Sequence, residues 1–120
     1  TFGHALESAT DYLVPHGIAV GIGMLAAINF SGRGNSTSNL QIVSEIRQIL
    51  AGAQFDMEKI QFSFVPKDFI SAFNKDKKHT TAYYRLVLPT EMGLKVVAFD
   101  RTTEMEDQIL LCMQQVLDTI

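Results

Sequence analysis

The segment from His16 to Ser31 carries apolar side chains around nearly the whole circumference of a helix. A helix of this kind is normally buried on almost all sides. Its apolar run, residues 17–30, is too short to span a bilayer. Gly21 and Gly23 predict a close approach of neighbouring backbones, although each glycine costs up to ~1 kcal/mol in helix propensity. We therefore predict a central helix that other elements surround.

Further helices are predicted on both sides of this segment. Residues 5–12 are typical of the end of a helix, which stops before Pro15 because the residue preceding a proline avoids the α region. Residues 32–36 are a loop by composition. Ser38 is a suitable N-cap for a third helix that ends at about residue 51, with apolar residues at helical spacing.

The second half of the chain begins with a stretch, residues 55–65, whose pattern favours no structure. Pro66 is suited to the first turn of a short helix that ends at the lysine cluster 75–78. Thr103 and Glu106 have the spacing of a capping box at the start of an amphipathic terminal helix.

Between these two helices the hydrophobic period changes from that of a helix to that of a strand. Apolar and polar residues alternate in 83–88 and again in 94–99, and residues 89–93 separate the two runs. This pattern predicts a β-hairpin with a longer loop. Because an isolated hairpin is marginally stable, we expect it to pack on the helices. The predicted fold class is mostly α, with one small β-hairpin in a single domain over residues 1–120.

Composition limits the function classes. The formal net charge is -3 and no basic block stands out, which disfavours nucleic acid and anionic membranes as partners. The single cysteine, Cys112, excludes an internal disulfide and favours a reducing, cytoplasmic setting. It lies on the apolar face of the terminal helix, where we expect a buried and inert thiol. The chain begins at Thr1 without an initiator methionine or a signal-peptide pattern, and we interpret it as part of a larger protein.

His4 and His16 are the residues most suited to chemistry. They lie on either side of one helix-to-helix turn, where antiparallel helices would bring them together. Imidazole binds divalent metals and moves protons, but a metal site needs at least a third ligand. On spacing alone, ordinary histidines at helix ends or on the surface explain the pair better than a functional site does. Glu7 is one helical turn from His4 and could pair with it, or serve a structural role.

The cluster of Lys75, Lys77 and Lys78 around Asp76 is the other candidate site. Lysine binds phosphate as a point charge. The alternative interpretation is a solvated helix end, where lysines complement the helix dipole.

Three segments, in order, resemble the C-terminal part of 3-dehydroquinate synthase and related sugar-phosphate cyclases. Residues 2–7 (FGHALE) look like the second half of the family motif G-H-x-x-G-H-A-x-E. Residues 16–24 (HGIAVGIGM) are similar to H-G-E-A-V-x-I-G-M. Residues 76–78 (DKK), followed by 85–88 (RLVL), are similar to D-K-K and R-x-V-L on a hairpin. The resemblance covers most of the chain.

This resemblance implies roles for individual residues. His16 matches a metal-binding histidine, and His4 matches a catalytic histidine that contacts the substrate and its phosphate. A lysine of the D-K-K segment helps to hold that phosphate; we favour Lys77 and leave Lys78 open. The motif's first histidine, another metal ligand, would directly precede Thr1. The family's metal-binding glutamate and its NAD-binding domain would lie further upstream, so no cofactor-binding residue is assigned within this chain.

The implied enzyme is a phosphate lyase that converts a heptulosonate or related sugar phosphate into a carbocycle. It uses NAD and a divalent metal, zinc or cobalt, and resembles the shikimate-pathway enzyme of aromatic amino acid biosynthesis. The implied partners are the sugar-phosphate substrate, the protein's own N-terminal NAD-binding domain and a second subunit in a homodimer.

One departure puts the substrate in doubt. The family usually has glutamate after His-Gly, and this chain has Ile18. Two alternatives therefore stay open: a metal- and NAD-dependent polyol dehydrogenase, which shares a Pro-His-Gly element, and a non-catalytic helical oligomerisation domain. We expect the 120 residues alone to be inactive and to bind zinc weakly.

Overall fold

A computed structural model describes residues 1–32 and 37–120. The part of the chain that it describes contains six helices and one two-stranded antiparallel sheet. The predicted fold class, mostly α with one hairpin, is confirmed. The elements are α1 (Phe2–Ala9), α2 (His16–Phe30), α3 (Thr37–Gly52), α4 (Glu58–Ser63), α5 (Pro66–Asn74), β1 (Tyr83–Thr90), β2 (Gly93–Asp100) and α6 (Thr103–Thr119).

Helix α2 lies at the centre, in contact with α1, α3, α6 and β1. The prediction of nearly complete burial was only partly right. Val20 and Met24, one helical turn apart, form an exposed stripe. The remaining large apolar side chains of α2 join one core with residues of the surrounding elements, including Leu6, Phe69, Phe73, Leu86, Ile109 and Met113.

Helices α1 and α2 approach each other through glycine. A Cβ atom added at Gly23 would lie 2.8 Å from the backbone nitrogen of Gly3, and one added at Gly3 would lie 2.9 Å from the carbonyl oxygen of Ala19. The predicted close approach at Gly23 is thus confirmed. A Cβ atom added at Gly21 would lie 3.0 Å from the side chain of Leu50. This glycine therefore leaves room for a side chain rather than for a neighbouring backbone.

The hairpin packs on the helices mainly through β1, and Phe99 of β2 adds an edge-on contact with Phe30 of α2 at a centroid distance of 5.3 Å. Tyr84, Leu86 and Leu88 point into the core, whereas β2 has no fully buried residue. The two strands pair from Tyr83↔Asp100 to Thr90↔Gly93, so the turn has two residues rather than the predicted longer loop. Gly93 has a φ of +94°, a conformation that glycine adopts without steric cost.

Several predicted boundaries needed correction. Helix α1 ends at Ala9 rather than at Tyr12, because Asp11 and Tyr12 both have positive φ. Residues 55–65, whose pattern favours no structure, contain α4. The N-cap of α6 is Thr102, whose hydroxyl accepts a hydrogen bond from the Met105 N–H, so Thr103 and Glu106 form no capping box.

The start of α3 bears on two further predictions. Ser38 lies within α3, which begins at Thr37, rather than at its N-cap. The predicted loop 32–36 lies, beyond Gly32, outside the described residues.

Candidate functional site

The turn between α1 and α2 builds the first part of the site. The Tyr12 N–H donates to the Glu7 carbonyl at 2.8 Å, and the Thr10 hydroxyl donates to the Leu6 carbonyl at 2.8 Å. With Asp11 and Tyr12 in the left-handed region, the chain reverses within a few residues. Pro15 then precedes the first residue of α2 in an extended conformation. The start of α2 is thereby placed beside the end of α1.

This reversal brings the two predicted histidines together. The rings of His4 and His16 have centroids 6.3 Å apart and an angle of 26° between their planes. Both residues are exposed to solvent. Their proximity, expected for antiparallel helices on either side of one turn, is confirmed.

Glu7 contacts His16 and not, as considered from spacing, His4. One carboxylate oxygen of Glu7 lies 2.8 Å from Nδ1 of His16. The side chain of Glu7 is 11% exposed, whereas that of His16 is 68% exposed. The helix reversal explains the change of partner, because it places the start of α2 closer to the Glu7 carboxylate than spacing along α1 suggests.

A groove of about 460 Å³ is lined by both His4 and Lys78. The exposed stripe of α2, Val20 and Met24, also lines it, as does Thr1. We call His4 and Lys78 the polar pair of the groove. The other lining residues are mostly apolar and come from α1, α2, α3 and the hairpin: Phe2, Gly3, Val20, Gly23, Met24, Ala27, Ile28, Asn39, Ile42, Leu86, Val87, Pro89 and Leu94.

The two candidate lysines are placed differently. Both are exposed, but Lys78 lines the groove and Lys77 does not. A carboxylate oxygen of Asp76 accepts a hydrogen bond from the Lys78 N–H at 2.9 Å, which fixes the backbone at the lysine. Partial burial raises the pKa of Asp76, but this hydrogen bond and nearby positive charges outweigh it and hold the pKa below its usual value. Asp76 is therefore a carboxylate that orients the segment.

His79 is a residue of this region that the sequence analysis passed over. Its ring packs against Phe73 and Tyr84, at centroid distances of 4.8 and 5.1 Å. Nδ1 accepts a hydrogen bond from the Arg85 N–H at 2.9 Å, and Nε2 is buried without a hydrogen-bond partner. Burial lowers the pKa of His79, although the Asp76 carboxylate opposes the change. Its position directly after the lysine cluster was the one available signal.

The described residues do not by themselves form a group of metal ligands. No group of three His, Cys, Asp or Glu side chains close enough to hold an ion occurs in residues 1–32 and 37–120. The chemistry of His16 would fit one ligand position, because Glu7 contacts Nδ1 and the ring is largely exposed.

Cys112 is buried, as predicted. Its Sγ donates to the Ala26 carbonyl at 3.1 Å across the contact between α6 and α2. Burial raises the pKa of the thiol to about 11, with a hydrogen bond from Asn29 acting in the opposite direction. Such a thiol is a poor nucleophile and a poor metal ligand near neutral pH. Within the described ranges, no helix is long and apolar enough to cross a membrane.

Comparison with known proteins finds one matching family model and several relatives that share one name. The family model described as 3-dehydroquinate synthase C-terminal matches residues 1–79. A 3-dehydroquinate synthase of Nostoc sp. is 34% identical over 115 residues, which are 92% of this chain and 30% of that protein. The enzyme of the same name from Acinetobacter baumannii is 34% identical over 115 residues, 95% of this chain and 31% of that protein.

A more distant relative carries the same name. The 3-dehydroquinate synthase of Saccharolobus solfataricus is 28% identical over 95 residues, 78% of this chain and 27% of that protein. The chain therefore spans about 30% of the length of the curated relatives it matches. No solved structure matches it.

Proposed function

Because the chain belongs to the 3-dehydroquinate synthase C-terminal family, we propose that it supplies the substrate-binding and part of the metal-binding groups of such an enzyme. The reaction is the conversion of a heptulosonate phosphate, or a related sugar phosphate, to a carbocycle with loss of phosphate. In this proposal residues 1–120 form one helical domain, and the rest of the relatives' length corresponds to an NAD-binding part that this chain does not include.

The polar pair of the groove is the observation that carries the proposal. His4 and Lys78 belong to motifs far apart in the sequence, yet they line one cavity. The ring of His16 lies beside that of His4. A cation and an imidazole thus line one cavity, with a second imidazole next to the first, and this combination would suit a metal-assisted elimination of phosphate.

Each of these residues has a distinct task. The Lys78 ammonium binds the substrate phosphate as a point charge and holds it in the groove. The exposed His4 imidazole lies within the same cavity and donates to the phosphate or moves a proton at a substrate oxygen. We favour Lys78 over Lys77 for the phosphate because Lys77 does not line the groove.

The cofactors complete the site from outside this chain. His16 would hold a divalent ion, zinc or cobalt, through Nε2, together with ligands that this chain does not provide. When bound, the metal supplies Lewis acidity and NAD supplies a reversible oxidation. The described residues contribute binding and orientation of the substrate.

Ile18 bears on the choice of substrate. It is buried in the core beside the start of α2, where the family usually has glutamate. The apolar side chain adds no charge next to His16, so a sugar phosphate other than the usual heptulosonate is compatible with the site. Substrate analogues that differ near the metal would separate these cases.

The proposal can be tested in a chimera that joins this chain to the N-terminal remainder of the Nostoc relative, whose matched segment it replaces. We expect phosphate release without net NADH formation. Lys78→Ala and His4→Ala should each lower kcat/KM by about 10²-fold or more, and the matched Lys77→Ala variant should change it far less. The 120 residues alone should show no activity.

Two outcomes would contradict the proposal. Net NADH formation from a polyol by the chimera would indicate a dehydrogenase, an alternative that the match to the cyclase family disfavours. A folded chimera that binds NAD but releases no phosphate from any sugar phosphate tested would favour a non-catalytic domain.

A further inference from the structure

The hydrogen bond between Glu7 and His16 joins a buried side chain to an exposed one. The carboxylate is almost fully buried, whereas the imidazole that it contacts is largely exposed. Apart from the neighbouring His4 ring, packing constrains the His16 ring little, and the contact with Glu7 at 2.8 Å is the polar interaction that orients it. Glu7 itself is held firmly, because its carbonyl oxygen accepts hydrogen bonds from the Tyr12 N–H and the Thr10 hydroxyl.

This contact determines which ring nitrogen carries the proton. An ionised carboxylate only accepts hydrogen bonds. In the neutral imidazole, one nitrogen carries the hydrogen and the other carries the lone pair. A neutral ring whose Nδ1 donates to the Glu7 carboxylate therefore carries its hydrogen on Nδ1 and its lone pair on Nε2.

We propose that Glu7 is a positioning residue that holds His16 as the Nδ1–H tautomer and so presents the Nε2 lone pair to a divalent cation. The inference rests on the proposed function, in which His16 is a metal ligand. A carboxylate behind a metal-ligating histidine fixes the ring orientation and raises the basicity of the ligating nitrogen. Glu7 touches neither substrate nor metal and acts only through His16.

The first test uses the metal-free chain. Long-range ¹H–¹⁵N correlation spectra at pH 8 report the tautomer of each histidine ring, and a His16→Ala variant assigns the signals. We expect Nδ1–H for His16 in the native chain, and a shift toward Nε2–H in Glu7→Ala. Glu7→Gln can accept from Nδ1 through its oxygen or donate to Nδ1 through its amide, so it should give a mixture of the two tautomers.

The second test uses the chimera described above, which would supply the remaining ligands, and measures cation affinity through the paramagnetic shifts that cobalt(II) produces on the His16 ring. Glu7→Ala should weaken binding by about 10- to 100-fold, and Glu7→Gln should weaken it less. Glu45→Gln, at an exposed position on α3, is the matched control and should leave the affinity unchanged. Circular dichroism establishes that each variant keeps its helices.

The outcomes separate the inference from the proposed function. If His16→Ala weakens cobalt binding and Glu7→Ala does not, the inference is overturned while the metal role of His16 stands. If cobalt binding is independent of His16, the metal role and the inference fall together. An Nε2–H tautomer of His16 in the native chain would overturn the inference at the first step.

Discussion

The α1–α2 pair and the β-hairpin hold their parts of the site by different means. In the helix pair, backbone meets backbone at Gly3 and Gly23, and little space separates the elements. In the hairpin, β1 buries alternate side chains against the helices, and β2 adds only the half-buried Val97 and Phe99. The two histidines therefore sit on a closely packed unit, whereas the hairpin wall of the groove is held mainly by one strand.

The comparison teaches that the two regions tolerate different substitutions. The helix pair should be sensitive to added volume, because no side chain intervenes at the glycine contact. The hairpin should be sensitive to lost volume on β1 and much less sensitive to change at the exposed positions of β2, such as Val96. We therefore make four predictions, all of which concern the free energy of unfolding of the 120-residue chain.

The largest expected effect is in the hairpin. Leu86→Ala removes a side chain that is 1% exposed and should lower the free energy of unfolding by about 2–5 kcal/mol. Val96→Ala, on β2 at 62% exposure, is the matched control and should change it by less than about 0.5 kcal/mol. Urea denaturation measures both. Equal losses would show that β2 is covered in solution and would remove the contrast.

The next effect is in the helix pair. Gly23→Ala places a methyl group against the backbone of Gly3 and should cost about 1–3 kcal/mol as the helices separate. Gly52→Ala, where an added Cβ meets nothing within 4 Å, should stabilise the chain by up to ~1 kcal/mol. Thermal denaturation measures both variants. If Gly23→Ala leaves the melting temperature unchanged, the contact between α1 and α2 is looser than described.

A smaller effect of opposite sign is expected at the turn. Tyr12 is exposed and has a φ of 60°, which is unfavourable for a residue with a Cβ. Tyr12→Gly should relieve this strain and raise the free energy of unfolding by about 0.5 kcal/mol, after the greater entropy of glycine in the unfolded chain is subtracted. Leu13→Gly, at the next position, should lower it. Destabilisation by Tyr12→Gly would indicate that the aromatic ring contributes contacts that outweigh the strain.

The smallest effect concerns pH. Burial lowers the pKa of His79 in the folded chain below its ordinary value of 6.5, so the unfolded chain binds more protons in the window just below that value. The contribution of the neutral ring is fully present above pH 6.5 and decreases as the pH falls toward the folded pKa. His79→Asn retains an acceptor for the Arg85 N–H.

The measurement compares unfolding free energies at pH 7 and pH 5. The native chain should lose more stability over this interval than the His79→Asn variant. A variant with the same or a steeper pH dependence would contradict the assignment of this titration to His79.

The helices and the hairpin were predictable because their signals are local. The apolar period identified α2, α3 and α6, and the alternation in residues 83–88 and 94–99 identified both strands. Helix α4 was missed because six residues are too few for a periodic pattern. The end of α1 was misplaced because the positive φ of Asp11 and Tyr12 comes from the turn and has no glycine to mark it.

The candidate site was likewise predictable where local motifs mark its residues and not predictable where tertiary packing sets its contacts. The motifs selected His4, His16 and the lysine pair as residues of interest, and the reversal at Pro15 predicted that the histidines would meet. The partner of Glu7 depended on how α2 returns along α1, which spacing within one helix does not show. The choice between Lys77 and Lys78 depended on which side chain faces the groove.

By itself, the sequence determined the helical fold class, the hairpin and the family, because periodicity, turn residues and short motifs act over a few neighbouring positions. Only the tertiary structure decided that Glu7 holds His16, that Lys78 shares a cavity with His4, and that the groove is largely apolar. These features arise where distant segments meet. Their geometry depends on the packing of whole elements, which no local pattern records.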